Sequence, residues 1–104
     1  MEFVESSVFT ARVVTLLTDE EYRDLQTKLV LHPKAGSVIP GAGGLRKLRW
    51  RVAGRGKRGG IRVIYYCVSV DRLYLIFVYE KTRQNDLTRK DVDILRRYVE
   101  GGVL

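Results

Sequence analysis

The sequence predicts an α+β fold, a small antiparallel-rich sheet with helices packed on it in the order β-α-α-β-β-β-α. Three observations carry this. Two continuous apolar runs, 61–69 and 72–80, are separated only by Val70-Asp71, which reads as a hairpin of strands covered on both faces. A stretch of period two, Lys47-Leu48-Arg49-Trp50-Arg51-Val52, precedes them. Two capping boxes, Thr18…Glu21 and Thr88…Asp91, each open an apolar pattern of helical period. With 104 residues, 45% of them hydrophobic, the chain is expected to form a single domain over 1–104. That content excludes a disordered basic tail.

Taken in order, residues 2–5 read as a short first strand and 7–15 as a helix carried by Phe9, Val13, Leu16 and Leu17. The second helix is better marked. Thr18 caps it, Leu17 and Tyr22 are placed as a hydrophobic staple, and Tyr22, Leu25, Leu29 and Val30 form one face. His32-Pro33 ends it, because the residue before proline avoids the α region. Glycines mark two loops, 34–44 and 53–60. In the strand over 47–52, Leu48, Trp50 and Val52 point one way and Lys47, Arg49 and Arg51 the other. The last helix starts at Thr88, has Leu87 and Val92 as its staple, lines one face with Val92, Leu95 and Val99, and stops at Gly101.

Charge is distributed as unevenly as glycine. The net +7 comes from 19 basic and 12 acidic residues. Residues 46–62 hold eight of the basic ones (Arg46, Lys47, Arg49, Arg51, Arg55, Lys57, Arg58 and Arg62) and no acid. The rest of the chain therefore has eleven basic against twelve acidic residues, a net −1. Three cations on one strand face, about 6.6 Å apart per two residues, repel one another. A polyanion track relieves that repulsion, so a nucleic-acid backbone is the expected partner. Arg62 is the one charge inside the apolar stretch of its strand, and a buried charge is costly unless paired, so it is expected to emerge at a cleft.

Several classes are excluded. One cysteine rules out a disulfide scaffold, and one histidine rules out the zinc-finger ligand sets. No metal or cofactor is expected. No apolar run reaches membrane-span length and no signal-peptide pattern is legible, so a cytoplasmic location without a membrane partner is expected. Gly54-Arg55-Gly56-Lys57-Arg58-Gly59 matches G-x-G-x-x-G, but a strand rather than a helix follows. Arg51 and Arg58 stand where a phosphate-binding Walker loop needs glycine and Ser/Thr. Arg58 to Tyr65 has the wrong aromatic spacing for an RRM strand. Cys67 reads as a core thiol and His32 as a helix-end residue. Arginine and lysine on a strand can still cleave RNA. The neighbouring 2′-OH is the nucleophile, and the protein must hold it in line and stabilise the charged phosphorane. Tyr65, Tyr66 and Tyr79 are candidates to stack a base or donate a proton, or else core aromatics.

Gly43-Gly44-Leu45-Arg46-Lys47-Leu48-Arg49-Trp50, Gly56-Lys57-Arg58-Gly59-Gly60-Ile61-Arg62-Val63-Ile64-Tyr65-Tyr66, Tyr79-Glu80-Lys81 and Asn85-Asp86-Leu87-Thr88 together resemble the RelE/HigB branch of bacterial toxin–antitoxin toxins. Leu17 to Tyr22, Gln26 and the Pro33…Gly36 stretch are similar to the HigB-like members. The resemblance implies a ribosome-dependent endonuclease cutting A-site mRNA, neutralised by a HigA-type helix-turn-helix antitoxin. It places the family's strand lysine pair on Lys47 and Arg49, the strand arginine on Arg62, and the basic pair after the last strand on Lys81 and Arg83. Lys47, Arg49, Arg62 and Lys81 are then the expected catalytic set, with Arg46, Arg51, Arg55, Lys57, Arg58, Tyr79 and Arg83 binding substrate. Two departures stand out. The second strand lysine is an arginine, and Leu87 replaces a C-terminal tyrosine, for which Tyr79 is the candidate substitute. Two alternatives remain at this point, a ParE-like toxin acting on DNA gyrase and a non-catalytic RNA- or DNA-binding module.

Overall fold

In the computed structural model, residues 1–52, 60–81 and 87–101 are described. Among them, β1 (Glu2–Glu5), α1 (Ser7–Leu16), α2 (Asp19–Leu31), β2 (Ser37–Val38), β3 (Arg46–Trp50), β4 (Ile61–Ser69), β5 (Arg72–Glu80) and α3 (Arg89–Glu100) follow in order. The five strands form one sheet ordered β1-β5-β4-β3-β2. β1 runs parallel to β5, and the other neighbours are antiparallel. The α+β class holds, with one strand more than the sequence predicts. β2 has two residues, too few for alternation to register, and it forms because Ser37 and Val38 pair with Lys47 and Arg46. β3 also ends at Trp50, leaving Arg51 and Val52 beyond the regular ladder.

Local chemistry explains most boundaries. The Ser6 hydroxyl caps α1 by accepting from the Phe9 N–H, and it donates to the Ile76 carbonyl at 2.6 Å. One buried side chain thus starts α1 and fastens it to β5. Arg12 adds a second fastening, with Nε donating to the Val78 carbonyl at 2.8 Å and the guanidinium over the Phe77 ring. Both predicted capping boxes are formed, Thr18 with Glu21 and Thr88 with Asp91. The β4–β5 hairpin turns at Val70-Asp71 and carries register shifts at Ile64/Tyr65 and Cys67/Ser69.

Strand alternation gives the sheet two different faces. Under α1 and α2, Leu48, Ile61, Val63, Tyr65, Leu73, Leu75 and Val78 pack with Phe9, Val13, Leu17, Leu25 and Leu29. On the opposite face, α3 brings Leu95 onto Leu45, Ile64, Ile76 and Tyr79, with Val92 and Val99 at the margin. No helix among the described residues is long and apolar enough to cross a membrane.

Candidate nucleic-acid interface

The face under α3 is only partly covered, and the basic residues of β3 and β4 lie on it. Lys47 and Arg49 alternate with Leu48 and Trp50, which join the α1/α2 core. The β3–β4 register sets Arg49 directly opposite Arg62, and the β4–β5 register sets Arg62 directly opposite Tyr79. A row Arg49–Arg62–Tyr79 therefore crosses three strands. The next row is Lys47–Ile64–Phe77. Directly opposed side chains have Cβ atoms about 5 Å apart, so two guanidinium groups start from neighbouring stems.

Arg62 is buried, at 7% exposure, and its Nη1 donates to the Ile61 carbonyl at 3.3 Å. Arg49 is exposed and Lys47 half-buried. Lys81 lies one residue past the end of β5, where its N–H donates to the Gly60 carbonyl at 3.2 Å. Gly60 makes this closure possible. Its φ is 57°, and a Cβ there would lie 2.3 Å from the Trp50 carbonyl oxygen. The chain thus re-enters the sheet tight against the end of β3, which brings Lys81 to the end of the sheet where Arg49 and Arg62 lie.

Not every expected residue joins this set. Arg46 belongs to the opposite face, and its Nη1 donates to the carbonyls of Gly36 at 2.8 Å and Lys34 at 3.4 Å. Its guanidinium fastens the turn after α2 rather than facing the row. Tyr79 is in the row but only 1% exposed, packed with Leu45, Ile64, Ile76 and Leu95, so its ring supports the site from below. Arg51 is exposed beyond β3. Arg55, Lys57, Arg58 and Arg83 lie outside the described residues.

The other candidates resolve as structural parts. Tyr65 is fully buried. Its hydroxyl donates to the Pro33 carbonyl and accepts from the Gly36 N–H, both at 2.8 Å, and burial pushes its ionisation up. Gly36 is required there, because a Cβ would come within 2.8 Å of the Tyr65 ring. Cys67 is half-buried, with Sγ 3.3 Å from the Pro33 carbonyl. His32 is the C-cap of α2.

Sequence reasoning missed a groove beside the basic row. Its volume is about 510 Å³. Lys47 and Arg49 form its floor, Ser37, Ile39 and Pro40 one wall, and Leu87 and Val92 the other. The first wall comes from a loop legible only as glycine-rich. The second comes from residues read as a staple.

Chemically, the row concentrates donors for a phosphate group. Arginine offers paired N–H groups matching two phosphoryl oxygens, and a partly buried guanidinium is pre-set rather than reorganised when charge develops.

The family model for the RelE toxin of the RelE/RelB toxin–antitoxin system matches residues 36–101, from the start of β2 through α3. A solved structure of the E. coli toxin RelE, an arginine-to-alanine double mutant in the free state, has a TM-score of 0.56 with this chain at 17% identity. The match covers 80% of this chain and 85% of that one. Fold and family together define a toxin of the toxin–antitoxin class. The chain belongs to the RelE toxin family, and membership implies an antitoxin partner.

Proposed function

We propose that this chain is a ribosome-dependent endoribonuclease that cuts mRNA in the ribosomal A site. The observation that carries the reading is the Arg49–Arg62 pair, two guanidinium stems directly opposed on a half-covered sheet face, with Lys47 and Lys81 at either side. A phosphodiester seated there relieves the like-charge repulsion and gains paired hydrogen bonds. The substrate 2′-OH attacks phosphorus. The 2′-O–P bond forms and the P–O5′ bond breaks, leaving a 2′,3′-cyclic phosphate and a 5′-OH. The two lysines carry the proton from the 2′-OH and to the leaving O5′, and the two arginines hold the phosphorane charge. Arg51, exposed beyond β3, is the described residue suited to a flanking phosphate, and Arg55, Lys57, Arg58 and Arg83 are proposed as further phosphate ligands on sequence alone.

Membership in the RelE family supports a reading in which a ribosome and an antitoxin are the partners of this chemistry. A HigA-type helix-turn-helix protein, encoded next to this chain, is the partner we expect to cover the basic face. Controlled expression with mRNA 5′ ends mapped in the presence and absence of translation tests the reading. Cuts that need translation and vanish in Lys47→Ala and Arg62→Ala are expected. Growth arrest with intact mRNA and inhibited supercoiling would instead assign the chain to gyrase.

A further inference from the structure

We infer that Arg12 of α1 is a positioning residue for the cleavage step, acting through the end of β5 on Lys81. The inference rests on the reading of the chain as an RNA endonuclease and goes beyond it, because it gives a part to a helix that carries none of the proposed catalytic groups. β1 covers β5 only from Arg72 to Leu75. Among the described residues no strand flanks the outer side of Ile76 to Glu80. An open strand edge leaves its backbone groups to water or to another chain. Here two side chains take the carbonyls, Ser6 Oγ that of Ile76 at 2.6 Å and Arg12 Nε that of Val78 at 2.8 Å. Ser6 is placed there by capping α1. Arg12 is exposed, and a long exposed side chain gives up rotamer freedom to hold one bond. Its guanidinium also lies 4.7 Å from the centre of the Phe77 ring, and Phe77 packs on Tyr79 with ring centres 5.8 Å apart. Tyr79 stands directly opposite Arg62. Glu80, the last residue of β5, lines the same small groove as Arg12. Val78 precedes Lys81 by three residues. The inner side of that segment is fixed by β4 and by the bond from the Lys81 N–H to the Gly60 carbonyl. Arg12 is the matching tether on the outer side. A proton-carrying ammonium must sit where the reacting oxygen is, and a displacement of about 1 Å can cost 10²-fold.

The test is single-turnover cleavage of mRNA on programmed ribosomes across a range of toxin concentrations, for the wild type, Arg12→Ala, Arg12→Lys, Lys81→Ala and the double variant Arg12→Ala/Lys81→Ala. A positioning role lowers the rate at saturation in Arg12→Ala by about tenfold and leaves the half-saturating concentration unchanged. Arg12→Lys, which keeps a donor and a cation at the strand edge, should recover most of that rate. The double variant should be no slower than Lys81→Ala, because a tether has nothing left to place once the ammonium is gone. A residue that grips the RNA directly behaves differently. A raised half-saturating concentration at unchanged rate, losses that multiply in the double variant, or Arg12→Ala cutting like wild type overturns the inference and leaves the endonuclease reading standing. Wild-type protein that cuts nothing, or Lys81→Ala that cuts like wild type, removes the reading and the inference together. Should Arg12→Ala fail to fold by circular dichroism, Arg12→Met decides, since it keeps the packing stem and removes both donor and charge.

Discussion

The two faces of the sheet differ in how completely they are covered. Two helices seal one face, and its residues reach zero exposure at Phe9, Leu25, Leu29, Val63, Tyr65, Leu73 and Leu75. Among the described residues one helix of 12 residues lies on the other, and beside it the sheet carries Lys47, Arg49 and Arg62 as well as apolar side chains. The sealed face provides the stability that the open face gives up. Placing two arginines directly opposite each other is unfavourable in isolation, and it persists because the strands bearing them are held from behind by Leu48, Trp50, Ile61 and Val63.

The contrast can be broken most sharply from the sealed side. Leu29→Ala should cost about 2–5 kcal/mol in urea unfolding, because a fully buried side chain leaves a cavity between α2 and the sheet. On the open side, Arg62→Ala should lower mRNA cleavage by about 10²–10³, the usual consequence of removing a pre-set charge-stabilising donor. The assay is cut-site mapping at matched folded concentration. Tyr65→Phe, again on the sealed side, removes a hydroxyl that serves both Pro33 and Gly36 and should cost about 1–3 kcal/mol.

Alkaline titration separates the faces in another way. Burial, the largest cause for both, pushes the Tyr22 and Tyr65 hydroxyls up, and the Glu5 carboxylate raises Tyr22 further. In the unfolded chain both ionise near pH ~10. Their contribution is complete below that value and is lost as pH rises toward the folded-state pKa, since only the unfolded chain then releases the proton. The urea midpoint should fall above pH ~10, and less steeply in Tyr22→Phe. The smallest effect has the opposite sign. Arg49→Ala relieves the cross-strand repulsion with Arg62 and should stabilise the fold by roughly 0.2–1 kcal/mol while cleavage drops. A destabilised Arg49→Ala protein would mean that the row is not under repulsive load.

What could be read in advance follows the range of the interaction. Capping boxes, the Val70-Asp71 hairpin and the alternation of Lys47, Leu48, Arg49 and Trp50 involve residues within a few positions of each other, so their pattern is visible along the chain. The placement of Arg46 is not legible along the chain for the same reason. It adjoins Lys47 in sequence, but alternation turns it to the other face, where carbonyls ten and twelve residues earlier capture it. Tyr79 looked available until the sheet placed it under α3. The groove was invisible because its walls come from β2 and from the approach to α3, some fifty residues apart.

The sequence by itself determined the α+β class, the helix starts, the hairpin and the confinement of the positive charge to residues 46–62, because periodicity, capping and charge are local properties of the chain. Only the tertiary structure decided which of those charges meet. Strand register is a long-range choice, settled by packing the apolar faces of β3, β4 and β5 against α1 and α2, and that choice sets Arg49 against Arg62 and opens the groove beside Lys47.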